Sequence, residues 1–214
     1  MNAEPAAWVH ALAWTLALLA LAWAARGLPW YKLRGDADAQ RVLGMAVLAL
    51  VAMRGFNTQA VLGVQLHFIG AAVATLMFGW RFALWAMATV SLAARVADVA
   101  WHGWAFDFIA TGALPVLVAH TIWRMEQRLP ANLFVYVFVA AFFGAAISMM
   151  ASTLFKATVE AMSGAHQAAQ YLVAMIPMMF GEAFFSGGAM SLVVVYRPHW
   201  CASFDDARYL GTGD

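Results

Sequence analysis

The stretch Ala60–Gly79, AVLGVQLHFIGAAVATLMFG, decides how the rest of the chain reads. At a rise of about 1.5 Å per residue, a helix of this length crosses the roughly 30 Å hydrocarbon core of a bilayer. Gln65, His67 and Thr75 are its only polar side chains. An ionisable ring in such a span is costly to bury and faces either the protein interior or a watery cavity. Imidazole is also the commonest metal-ligating side chain. One segment thus predicts a membrane bundle and places a candidate metal ligand, His67, inside it.

Composition extends this reading to the whole chain. Charged residues make up 11% of the 214 residues, against about 25% in soluble domains, so an integral membrane protein is expected. The net charge of +1 says nothing about nucleic acid, but no basic tract exists to grip phosphates, so no nucleic-acid partner is expected. Cys201 is the single cysteine and has no intrachain partner for a disulfide. Glu4 precedes the first apolar run and no basic region does, so the start does not read as a cleaved signal peptide. Residues 1–214 read as one transmembrane domain.

Seven spans are predicted: Ala6–Ala25, Val42–Phe56, Ala60–Gly79, Phe82–Trp101, Trp104–Trp123, Leu133–Phe155 and Gln170–Tyr196. The fold class is all-α, a polytopic membrane helix bundle. The second span is short. Arg95 and Asp98 interrupt the end of the fourth at a spacing that lets them pair. With the N-terminus outside, Arg26, Lys32, Arg34, Arg41, Arg81, Arg124, Arg128, Arg197 and Arg208 fall in cytoplasmic segments. Only Arg54, Arg95 and Lys156 fall outside. That asymmetry predicts N-out, C-in. Gly70-x-x-x-Ala74 and Gly144-x-x-x-Ser148 allow close helix approach. Pro115 and Pro177 lie inside spans, and Gly181, Gly187 and Gly188 mark the last span as the one expected to bend.

On this topology the ionisable groups gather in the outer half. His67 lies roughly 10 Å and Asp107 roughly 5 Å from the outer surface, counted along their helices. His10 occupies the first turns of span one. His102 and Asp98 sit where spans four and five meet, and Glu160 and His166 in the last outer loop. Only His120, His199 and Cys201 fall toward the cytoplasm. Glu182 is roughly 18 Å into the last span, where a carboxylate is paired, protonated or part of a pathway. Histidine with carboxylate suits Zn, Ni, Co or Cu(II), and thioether shifts the preference toward Cu(I). Most methionines read as core filler, with Met178 and Met179 as candidate soft ligands. The outer histidines other than His67 read first as interface residues, and Asp107 divides between ligand and helix cap. No phosphate loop, dinucleotide turn, HExxH helix or CxxC pair is present.

Four stretches carry a family resemblance. Leu66-His67-Phe68-Ile69-Gly70-Ala71-Ala72, followed by Leu76-Met77-Phe78-Gly79, resembles the conserved segment of CbiM-type proteins, the cobalt/nickel substrate-capture subunits of energy-coupling-factor ABC transporters. Glu182-Ala183-Phe184-Phe185-Ser186-Gly187 resembles that family's last-helix motif, and Trp104–Val118 another, with Asp107 where many members carry asparagine. The ending Val194-Val195-Tyr196-Arg197-Pro198 with Phe204-Asp205-Asp206 is similar to a compact proteobacterial branch of energy-coupling-factor permeases.

The resemblance implies a bacterial inner-membrane protein that takes up a metal ion from the periplasm. It also implies a transmembrane coupling subunit and cytoplasmic ATPases as partners. The family's metal site combines the N-terminal amine, a histidine at position two and a later histidine, which carries over to His67. This chain opens Met1-Asn2, with Asn2 at the family's histidine position. Met1 and Asn2 keep amine and backbone nitrogen donors. His10, His102, Asp107, Glu182 and the methionines are candidates to complete a Co, Ni, Cu or Zn site. Two other classes stay open: a non-transporting metal sensor, buffer or accessory protein, and a membrane enzyme using Glu182, Asp107 and His67 as acid and base.

Overall fold

The computed structural model describes residues 7–55, 64, 66–97, 103–162 and 167–210. They form an all-helical bundle. Its elements are α1 (Ala7–Ala25), α2 (Ala37–Arg54), α3 (Ala71–Phe78), α4 (Trp80–Ala97), α5 (Trp104–Glu126), α6 (Leu133–Met162), α7 (Ala168–Tyr196) and a C-terminal turn α8 (Asp206–Tyr209). Among these, α1, α5, α6 and α7 are long and apolar enough to cross a membrane. The predicted seven spans are therefore met by four of that length and hydropathy among the described residues.

The third predicted span is a correction. Residues 66–70 are not helical, and only Ala71–Phe78 winds into a helix. Gly70 explains the break, because its φ of +66° is left-handed, which a continuing helix does not accept. A β-carbon there would also run into Leu50 of α2. An interrupted helix at membrane depth survives only where protein surrounds it and its freed backbone groups find partners. Both conditions hold: Ala71, Ala72, Ala74, Thr75, Leu76 and Met77 are all buried.

Two ends of the bundle follow from side-chain contacts. At one end α2 and α4 finish and α5 begins, where Arg54, Arg95 and Asp107 meet. The start of α1 lies here too, with His10 edge-on to Phe106 and Trp14 against Trp104. At the other end the tail after α7 folds back beneath α3. α1 packs through Ala13, Ala17, Leu21 and Ala24, a stripe at helical spacing, and leaves Leu12, Leu16, Leu18 and Leu19 exposed. Small residues let backbones approach, and exposed leucines suit contact with acyl chains.

Pro115 and Pro177 act differently. In α5 a π-helical stretch, Ile109–Ala113, ends just before Leu114-Pro115. Proline supplies no N–H and crowds the carbonyl four residues back, so a widened turn accommodates it. In α7 the helix runs through Pro177 without interruption from Ala168 to Tyr196, so the expected opening there is not seen.

Candidate functional site

His67 stands in the extended run ahead of α3 and is buried, at 6% exposure. Its Nδ1 lies 2.9 Å from the carbonyl oxygen of Phe68. A carbonyl only accepts, so in the neutral ring the proton sits on Nδ1 and Nε2 carries the lone pair. Nε2 is itself buried and has no hydrogen-bond partner among the described residues. A neutral imidazole fixed through one nitrogen with the other left bare is how proteins prepare a metal ligand.

The segment carrying His67 is clamped by the middle of α7. Glu182 lies roughly 21 Å along α7 from Ala168 and is 1% exposed. Its two oxygens accept the backbone N–H of Ile69 at 2.8 Å and of Gly70 at 2.7 Å. Those are the donors freed where α3 begins, and a carboxylate at a helix N-terminus also meets the positive end of the dipole. Ser186, one turn on, donates weakly to the same carboxylate at 3.5 Å. Phe68 stacks on Phe185 at 6.3 Å between ring centroids. It occupies the space that a β-carbon on Gly181 would need, 2.7 Å from the Phe68 ring. Two of the stretches that carried the resemblance, Leu66–Ala72 and Glu182–Gly187, are thus one packed unit.

Asp107 is committed elsewhere. Nη2 of Arg54 donates to both of its oxygens at 2.7 Å, and Arg95 adds a longer contact at 3.4 Å. Arg54 also donates to Ser91 at 3.3 Å and Thr111 at 3.2 Å, so the end of α2 is tied to α4 and α5 together. Arg95 pairs with Asp107, while Asp98, its expected partner, lies outside the described residues. A cavity of about 240 Å³ lies beside this network, lined by Arg95, Asp107, Phe106, Lys156, Glu160 and Tyr171.

The candidate ligands from sequence therefore separate. His67 presents a bare donor, Glu182 holds backbone, Asp107 holds two arginines, and His10 packs on Phe106. Met1, Asn2, His102, Asp98 and His166 lie outside the described residues. Met178 is buried in the core. Among the described residues no group of three or more His, Cys, Asp or Glu is placed to hold a metal ion. Sequence reading missed the pairing of both arginines with Asp107: it counted Arg54 only as an outer charge and offered Arg95 only Asp98. The signal available was the position of Arg54 directly after the apolar run Val47–Met53, where an unpaired guanidinium is costly.

At the tail end a second polar network closes the bundle. Ala202 N–H donates to the Met77 carbonyl at 2.8 Å, and Ser203 N–H and Oγ donate to the Leu76 carbonyl at 3.1 and 2.7 Å. Tyr136 bridges the Ser203 hydroxyl at 2.7 Å and the Cys201 sulfur at 3.1 Å. Tyr209 donates to Glu126 at 2.9 Å.

Searches among curated proteins and among solved structures gave no match. A family model described as the cobalt uptake substrate-specific transmembrane region matches residues 5–200. Nearly the whole bundle falls within that match, including both halves of the clamp around His67, and the chain belongs to the CbiM family, the substrate-specific membrane components of cobalt uptake rather than enzymes.

Proposed function

We propose that the chain captures a divalent transition metal, cobalt or nickel by family and copper or zinc as the donor alternatives, at the end of the bundle holding Arg54 and Asp107. That end is the periplasmic one in the orientation read from the basic residues. Delivery inward takes place with a transmembrane coupling subunit and cytoplasmic ATPases, the partners that membership of the family implies.

The observation that carries the reading is the Nε2 lone pair of His67, buried and bare. A buried polar atom left without a partner costs about 1–3 kcal/mol, so its retention calls for an occupant. Glu182 and Asp107 are cast here as frame rather than as ligands, because their oxygens are already engaged. The Met1 amine and the Asn2 backbone nitrogen remain proposed co-ligands, on the family pattern alone.

The test is a titration of purified full-length protein with Co²⁺, Ni²⁺, Zn²⁺ and Cu⁺. His67→Ala is expected to weaken binding of the cognate ion by about tenfold or more, the loss of one good ligand, with helical content unchanged. Equal affinity and stoichiometry in the variant would remove His67 from the site.

A further inference from the structure

At the tail end of the bundle a cavity of about 260 Å³ opens between the α1–α2 loop, the junction of α3 with α4, the end of α5 and the tail. Its polar lining consists mainly of donors. Lys32, Arg81, His120 and Trp123 border it, and no Asp or Glu is among its described lining residues. Arg81 is only partly committed: Nη1 donates to the Gly27 carbonyl at 2.7 Å, and the guanidinium lies 4.8 Å from the centre of the Trp80 ring. Its Nε is buried with no acceptor among the described residues, and so is the indole Nε1 of Trp123. Both are N–H groups that only donate, and a buried donor left unmatched is destabilising. Trp80 and Arg81 also open α4, whose first N–H groups have no acceptor within the helix. The described carboxylates nearby are taken. In the cavity of about 500 Å³ that shares Lys32, Asp36 caps α2 and Asp38 pairs with Arg41 at 3.5 Å, and Glu126 holds Tyr209.

We propose that this cavity binds a phosphate group, carried by an anionic phospholipid headgroup or by free phosphate. Phosphate oxygens accept several hydrogen bonds at once, and the Nε–Nη2 edge of a guanidinium grips two of them as a fork. Lys32 adds a point charge, Trp123 a neutral donor, and the start of α4 its free N–H groups and positive dipole end. At about 260 Å³ the cavity is below the roughly 300–1,000 Å³ of drug-sized pockets and suits a group of this size. The surroundings fit a lipid. Trp23 packs on Trp80 at 4.3 Å, and Trp23 and Trp30 are exposed, as indole rings are at a membrane interface. Basic pockets between membrane helices hold anionic headgroups in this way. A bound phosphate ties the α1–α2 loop, α4 and α5 together. The cavity lies at the other end of α3 from His67, so phosphate binding and metal capture stand or fall separately.

Purified full-length protein in a non-ionic detergent is titrated calorimetrically with three probes. These are short-chain phosphatidylglycerol, phosphatidylcholine of the same chain length, whose choline cation offsets the phosphate charge, and inorganic phosphate. Phosphatidylglycerol bound about tenfold more tightly than phosphatidylcholine identifies a headgroup. Saturable binding of inorganic phosphate with no preference between the lipids identifies the free anion. In either arm Arg81→Gln is expected to weaken binding about tenfold or more, and Lys32→Gln about threefold. Arg128→Gln removes an exposed charge outside the cavity and is expected to leave binding within about twofold. Melting temperatures show which variants are folded. Arg81 also holds Gly27, so if Arg81→Gln does not fold, Lys32→Gln and Trp123→Phe carry the test. The latter loses the indole N–H and is expected to weaken binding about threefold. Saturable binding of no probe, binding unchanged in both Lys32→Gln and Trp123→Phe, or a loss in Arg128→Gln as large as in Lys32→Gln overturns the site.

Discussion

The two ends of α3 are held in opposite ways. At its start a single buried carboxylate, Glu182, takes the N–H groups of Ile69 and Gly70. At its finish the carbonyls of Leu76 and Met77 receive neutral donors from Ala202 and Ser203, on a tail that lies outside the spans. Hydrogen bonds to a charged group contribute about 1.5–3 kcal/mol, against about 1 kcal/mol for neutral ones. The tail's bonds involving charged groups, Tyr209 to Glu126 and Arg208 to the Gln127 carbonyl, reach the end of α5 rather than α3. The difference teaches where the fold is rigid and where it can yield: the His67 end is fixed, and the cheaper end to open is the one facing the tail. On the proposed metal-capture reading, that arrangement would keep His67 in register while leaving a way inward.

Glu182→Leu is the largest break in this comparison. It strips two buried N–H groups of their acceptor and is expected to cost about 3–5 kcal/mol, the range for removing one partner of a buried charged interaction. Thermal unfolding in detergent reads it directly. A loss no greater than that of Ser203→Ala would erase the asymmetry between the two ends.

Next in size is Gly70→Ala. The left-handed φ of +66° costs a non-glycine residue about 1–2 kcal/mol, and the added methyl collides with Leu50, for a further cost of about 1 kcal/mol or more. Combining it with Leu50→Ala should return the collision and not the backbone strain. The double variant therefore melts below Leu50→Ala alone but above the level expected from adding the two single losses, and a purely additive pair would contradict the contact.

Ser203→Ala probes the weaker end. It removes the hydroxyl bonds to Leu76 and Tyr136 and leaves the backbone bonds of residues 202 and 203 in place. A cost of about 1 kcal/mol is expected. Cys201, buried beside it, should react faster with a thiol reagent in this variant, while the metal affinity read by the proposed titration stays the same. Unchanged Cys201 reactivity would show that the tail is held by something other than this hydroxyl.

How much of this the sequence carried differs by region. Helical class and membrane character were legible because they rest on summed hydropathy, which no single contact overrides. His67 was legible for the same reason, as a costly group in an apolar run. The break at Gly70 was not: hydropathy is blind to whether an apolar segment winds or extends, and Gly70 read as a packing glycine of Gly70-x-x-x-Ala74. Its left-handed conformation becomes favourable only once Glu182, 112 positions away, supplies the missing acceptor. The pairing of Asp107 with Arg54 was hidden likewise, since 53 residues separate them. Local spacing pointed instead to the nearer partners, Arg95 with Asp98.

The smallest effect also comes from the tail, and its sign is fixed by Tyr209. Burial first, and then the hydrogen bond to Glu126 and its charge, push the phenol from its ordinary value near 10 up to about 12. The unfolded chain gives up this proton more readily than the folded one. The stability it contributes is therefore whole below pH 10 and is lost as pH climbs through about 12. Tyr209→Phe has no such proton to lose. Its melting temperature should sit slightly below that of the parent chain near neutrality, and the gap should shrink from pH 10 to 12. The Glu182 clamp is intact in both proteins, so it cancels from the difference. A gap that stayed constant across that window would mean that Tyr209 does not hold the tail through its hydroxyl, and the tail end would then be fixed by packing alone, through Phe204 stacked on the Tyr209 ring at 5.0 Å.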